Sequence, residues 1–135
     1  IMLNYAYTVL FSEVWFAVES SSLEPFFGFL HVDNSRRPAL VADLMEEFRQ
    51  PVVDRVVFTL ASRKGSKLET FVQNGKLNEE GKKELIKALG KRLDEKITFE
   101  NRVLPIRAHM FLQARRIAMF LLGKKDEYKP FRIRW

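Results

Sequence analysis

The residues best suited to chemistry are one histidine and a short acidic run. His31, one of two histidines, precedes Asp43 by twelve residues and Glu46 by fifteen, with Glu47 next to it. On a helix, Asp43, Glu46 and Glu47 stand at i, i+3 and i+4, so their carboxylates share a face while Leu40, Val41, Leu44, Met45 and Phe48 cluster on the other. Carboxylate oxygens and an imidazole nitrogen suit a divalent cation, and the nitrogen donor favours Mn²⁺ over Mg²⁺. The plainer alternative is a solvated acidic face and a core histidine bonded to a backbone carbonyl. Like charges within a turn disfavour a helix by only about 0.2–0.5 kcal/mol per pair, and bulk salt relieves them as well as a bound ion does, so energetics leaves both readings open.

Two basic features accompany this run. The turn Asn34-Ser35-Arg36-Arg37 sits just before the acidic helix, where two guanidinium groups and free helix-end amides could meet a phosphate or simply be solvated. Later, Arg102, His109, Gln113 and Arg116 fall on one stripe of a mostly apolar helix and either line a DNA groove or pair with a neighbouring acidic face, the second being favoured. There is no glycine-rich nucleotide loop, no His-Glu-x-x-His and no Gly-x-Ser-x-Gly. Neither histidine follows a glutamate by three residues, which disfavours a di-iron bundle.

The elements that must position these groups read as helices. Met2 to Val18 is apolar almost all round, which predicts a buried helix. Ser20-Ser21-Ser22 ends it, and Pro25 and Gly28 punctuate an apolar loop closing at His31. Pro38 suits the first turn of a helix running to about Arg49. Gln50-Pro51 predicts a break or kink, after which Val53, Val56, Val57 and Leu60 define another amphipathic helix. Residues 62–78 read as a loop with a short hairpin at Asn74-Gly75. Asn78 caps a helix to about Lys96, a final helix runs from Asn101 to Leu122 with Pro105 near its start, and the tail from Tyr128 to Trp135 is extended, with aromatic anchors. The expected fold class is all-α, one compact multi-helix domain spanning residues 1–135.

Composition narrows the partners. Twenty-three Lys and Arg against seventeen Asp and Glu give a net charge of +6, favouring an anionic partner. The absence of cysteine excludes disulfides, thiolate metal sites and a cysteine nucleophile. No apolar run reaches bilayer length and no leader pattern is present, so a soluble, cytoplasmic protein is expected. Ile1 and Met2 open into the first apolar run without a cap, as a cut inside a helix would.

Three stretches together resemble the CRISPR-associated integrase family. Leu3-Asn4-Tyr5-Ala6-Tyr7-Thr8-Val9-Leu10 is similar to its Asn-Tyr helix, Leu23-Glu24-Pro25-Phe26-Phe27-Gly28-Phe29-Leu30-His31 to its Leu-Asp/Glu-Pro loop, and the segment from Arg37 to Arg49 to its Asp-Leu-x-Glu-x-Phe-Arg helix. Pro130-Phe131 to Trp135 also fits; Ser22 and Ala39 depart from the usual glycine and serine. The resemblance implies the helical C-terminal lobe of a larger two-domain protein whose N-terminal β-rich domain is absent. It implies His31 and Glu46 as metal ligands, Asp43 as a supporting catalytic acid, a further glutamate from outside this chain, Mn²⁺ or Mg²⁺ as cofactor, and Arg36 and Arg37 as DNA contacts. The implied activity is metal-dependent DNA cleavage and joining of spacer 3′-hydroxyl ends to repeat DNA, by a homodimer that partners a small ferredoxin-like subunit. With two protein ligands, this stretch is expected to fold but to bind metal poorly and cleave little DNA alone. A metal-free helical module binding nucleic acid or protein is the alternative.

Overall fold

The computed structural model describes residues 1–22, 37–121 and 123–133, without the side chains of Ser22, Arg37 and Ser66. Among these, five α-helices and two short hairpins enclose one apolar core. Helix α1 (Met2–Ser22) buries Ala6, Leu10, Val14, Ala17 and Val18, a stripe at helical spacing. Helix α2 (Arg37–Phe48) answers it with Val41, Leu44 and Phe48, each fully buried. The chain then runs through a π-helical turn (Arg49–Asp54) into α3 (Arg55–Lys64). Pro51 lies in that turn, so the expected break is a wide turn: proline offers no amide hydrogen, and the widened spacing keeps Val52 and Val53 in the core.

A 3-10 turn (Gly65–Phe71) leads to β1 (Val72–Gln73) and β2 (Lys76–Leu77), joined by Asn74 and Gly75 at φ 55° and 76°. Both central residues are left-handed, as the predicted hairpin requires. Asn78 then caps α4 (Glu79–Leu93): its Oδ1 accepts from the Gly81 amide at 2.8 Å and its Nδ2 donates to the Thr70 carbonyl at 2.6 Å. The face carrying Leu85, Leu89 and Leu93 packs inward.

The expectation of an all-α domain, and with it the description as an all-α C-terminal lobe, is corrected here. Residues 96–105 form an antiparallel hairpin of β3 (Lys96–Phe99) and β4 (Arg102–Pro105), paired from Lys96↔Pro105 to Phe99↔Arg102. The fold is therefore mainly helical with two small antiparallel sheets. The hairpin turns on Glu100 and Asn101, at φ 52° and 63°. Ile97, Thr98 and Phe99 are residues that pack well on a pleated surface, whereas helix α5 starts only at Ile106 and runs to Leu121. A second correction concerns α1, expected to be buried all round: Phe16 is 70% exposed, and Leu3 and Phe11 also reach the surface. No helix among the described residues is long and apolar enough to cross a membrane.

Gly81 and Gly90 lie on one helix but in opposite circumstances. A Cβ on Gly81 would stand 2.8 Å from the Phe71 Cβ and 3.0 Å from its carbonyl oxygen, whereas one on Gly90 meets nothing within 4 Å. Gly90→Ala should stabilise the protein by about 0.5–1 kcal/mol through helix propensity. Gly81→Ala should destabilise it by about 1–3 kcal/mol through overpacking, with thermal melts reading the opposite signs.

Candidate active site on helix α2

Three neighbouring acids on α2 have different surroundings. Glu47 is half-buried and fully engaged: its Oε1 accepts from the Phe131 amide at 2.8 Å and from Gln113 Nε2 at 3.0 Å, and its Oε2 accepts from the Tyr128 hydroxyl at 2.5 Å. The Gln113 amide nitrogen also lies 3.0 Å from the Tyr128 oxygen and from the Lys129 carbonyl, while Arg116 Nη1 donates to Gln113 Oε1 at 2.9 Å. One carboxylate thus fastens α2 to α5 and to the tail. Burial, and then the hydrogen bond to Glu47, push the Tyr128 phenol far above its ordinary range.

Glu46 and Asp43 are exposed, and with the half-buried Glu47 they line a cavity of about 620 Å³ walled by α2, Pro51 of the π-helical turn, and the tail residues 130–133. Arg49 Nη1 donates to Glu46 Oε2 at 2.9 Å, but with the glutamate side chain 69% exposed the pair contributes at most about 1 kcal/mol. Arg49 is held in turn from α1: its guanidinium carbon lies 4.4 Å over the Tyr7 ring, and the Tyr7 hydroxyl donates to Asp54 Oδ1 at 2.6 Å. The bond to Asp54, then burial, raise the Tyr7 phenol above its ordinary value, while the bond to Glu46, and then that to Tyr7, raise Arg49. Two residues of the sequence motifs, Tyr7 and Arg49, therefore position Glu46, a role that spacing alone did not reveal, and Tyr7 also packs against the core.

Of the remaining site candidates, His31 and Arg36 lie outside the described residues, as do Arg134 and Trp135 of the tail. Arg37 is the first residue of α2, its side chain undescribed. The late stripe resolves into the acidic-face alternative: Gln113 meets Glu47 directly and Arg116 reaches it through Gln113. His109 is fully buried with Nε2 2.6 Å from the Ile97 carbonyl and its ring in the aromatic cluster of Phe99 and Phe131, and Arg102 belongs to β4 rather than to the helix. Phe131 stacks on Phe48 with centroids 4.7 Å apart, anchoring the tail as expected.

As a metal site the described part is incomplete. Among the described residues no three His, Asp or Glu side chains converge, but Asp43 and Glu46 offer hard oxygen donors to one cavity, the donor type that small divalent cations take.

The assignment of Glu47 to structure and Glu46 to the surface has measurable consequences. Glu47→Ala should cost about 2–4 kcal/mol, because the Phe131 amide and the Tyr128 hydroxyl lose their part-buried acceptor and Gln113 loses one of its three, while Glu46→Ala should change stability by less than about 1 kcal/mol in chemical denaturation. Because the Tyr128 phenol is raised in the folded state, its contribution is complete below the unfolded value near 10 and is lost as pH climbs above it. Between about pH 10 and 11 the wild type should therefore lose up to about 1.4 kcal/mol more than Tyr128→Phe.

Residues 1–91 match the family model described as CRISPR associated protein Cas1. CRISPR-associated endonuclease Cas1 1 of Archaeoglobus fulgidus is 41% identical over 137 residues, covering 99% of this chain and 39% of that protein. Among solved structures, a casposase bound to integration product superposes with TM-score 0.77 at 27% identity over 98% of this chain and 38% of its own. A Cas1 protein from Thermotoga maritima does so with TM-score 0.74, also at 27% identity, over 90% of this chain and 39% of its own. The chain thus spans about two fifths of the length of these relatives. With two thirds of its residues inside the family model and the helical frame shared with both structures, this chain belongs to the CRISPR-associated Cas1 family.

Proposed function

We propose that this chain carries part of the phosphoryl-transfer centre of a DNA endonuclease and integrase of CRISPR adaptation, one that joins spacer 3′-hydroxyl ends to repeat DNA. The observation that carries the reading is the division of labour on α2, where three acids line one cavity but Glu47 is half-buried and consumed by structural hydrogen bonds while Asp43 and Glu46 keep exposed carboxylates. In this reading His31 and Glu46 would hold Mn²⁺ or Mg²⁺, with Asp43 as the supporting acid and a further acidic ligand supplied by the remainder of the longer protein. The cation would supply charge stabilisation at a DNA phosphate.

The chain's own residues set the stage for that chemistry. The Arg49 side chain, clasped between Tyr7 and Glu46, restrains the Glu46 rotamer without burying it. The Glu47 network keeps the tail as one wall of the cavity, and Arg37, the first residue of the same helix, together with Arg36 before it in the sequence, would steady flanking phosphates. The casposase relative, solved with integration product, supports DNA as substrate. Duplex DNA, a second copy of the intact protein and a small ferredoxin-like subunit are the proposed partners.

In the full-length protein, Glu46→Gln should reduce Mn²⁺-dependent cleavage and joining by more than about 100-fold, since even groups that only support metal ligands cost 10- to 100-fold when removed. Its melting temperature should stay within a degree or two of wild type. Undiminished cleavage in that variant would instead favour a metal-free binding role for this region.

A further inference from the structure

Helices α3 and α4 pack side by side, and cations gather in the groove between them. Arg63 and Lys64 from the last turn of α3, Lys67 from the 3-10 turn, and Lys87 and Lys91, one helical turn apart on α4, line a space of about 410 Å³. Glu84 is the single acid in that lining. None of the five cations makes an ion pair among the described residues. Like charges brought this close repel one another unless an anion lies between them.

The groove continues into a smaller pocket of about 150 Å³ that shares Arg63 and Lys91 and adds Arg55, Thr59 and Arg92 together with one acid, Glu95. Arg92 is only 3% exposed. Its Nε donates to the Pro51 carbonyl and its Nη1 to Glu95, both at 2.8 Å, while its Nη2 is buried with no acceptor. Burial, the largest influence, lowers its hold on the proton. A buried guanidinium with a spare donor at the end of a cationic groove is a site for an oxyanion. Leu60 and Ala88, with Val56 in the smaller pocket, are the apolar part of the lining, which among the described residues holds no aromatic anchor of the kind a protein partner uses. Pro51, which accepts from Arg92, also walls the Asp43 and Glu46 cavity, so the π-helical turn connects a residue of the groove to the cavity.

The geometry points to the α3–α4 groove as a second DNA contact, a track for backbone phosphates of a duplex engaged at the α2 cavity. The choice of DNA rests on the function proposed above; the oxyanion site rests on the groove itself. The test is binding of a 20-base-pair duplex to the full chain in chelator, across a salt series. Lys67→Gln with Lys87→Gln and Lys91→Gln, all exposed side chains, is compared with a triple of equal charge at Lys76, Lys96 and Lys125. The groove variant should bind at least about tenfold more weakly, with the salt dependence of log K reduced by about 3, or about 0.9 per cation, while the comparison variant changes less than about twofold. Equal losses in the two variants, or no loss in the first, would overturn the proposal. So would an equal loss by the groove variant toward polyglutamate, which carries the charge but no phosphate. Because binding is read without metal, a full-length protein that keeps this pattern yet fails to cleave DNA with Mn²⁺ contradicts the catalytic reading alone; Mn²⁺-dependent cleavage by the full-length protein without the pattern contradicts the groove alone.

Discussion

A single carboxylate sets the geometry of this chain. Glu47 projects from α2 into a space bounded by α5 and the C-terminal tail, and there it gathers the Phe131 amide, the Gln113 side-chain amide and the Tyr128 hydroxyl. A half-buried carboxylate is stable only when its oxygens are satisfied, and these donors come from elements more than sixty residues away in sequence. The apolar packing beside it, Phe48 against Phe131 and Phe131 against Phe99, supplies nondirectional stabilisation. The hydrogen bonds fix the rotation of α2 about its axis. With Glu47 held against α5 and the tail, Asp43 and Glu46 stand exposed at the cavity that all three acids line.

The same logic explains why Arg49 and Tyr7 matter at a distance from any reacting group. An exposed glutamate samples several rotamers, and an exposed ion pair restrains it weakly. Stacking the arginine on a tyrosine that is itself bonded to Asp54 reduces the freedom of the whole chain of contacts from α1 to α2. The π-helical turn at Arg49–Asp54 then carries the chain from the acidic cavity to the basic groove, with the Pro51 carbonyl accepting from the buried Arg92. One short stretch of backbone therefore carries contacts to both the acidic cavity and the basic groove.

Much of the frame was legible in the residues. The apolar spacing of α3, the Asn74-Gly75 turn, the Asn78 cap and the break at Pro51 each follow from a local rule that tertiary structure did not override. The hairpin at residues 96–105 was not legible, because its left-handed turn is built from Glu100 and Asn101 rather than from a glycine pair, and Pro105 read more naturally as a helix start. Periodicity could place Glu46 and Glu47 on one side of α2 but could not say which would be buried, since that depends on Tyr128 and Gln113 far along the chain. For the same reason the late stripe stood as two alternatives until Glu47 was seen to take its amide and, through it, its guanidinium. The basic groove was missed because its cations come from separate segments, none rich enough in Lys and Arg to stand out alone.

The central claim is that α2 reserves Glu46 for a cation and Glu47 for the frame. Anomalous diffraction at the manganese edge, from crystals of the full-length protein grown with Mn²⁺, addresses it atom by atom. The account predicts a peak about 2.1 Å from a Glu46 carboxylate oxygen, with the His31 imidazole as its neighbour and Glu47 still bonded to the Phe131 amide. A peak on Glu47, or a bound ion touching neither His31 nor Glu46, would contradict it.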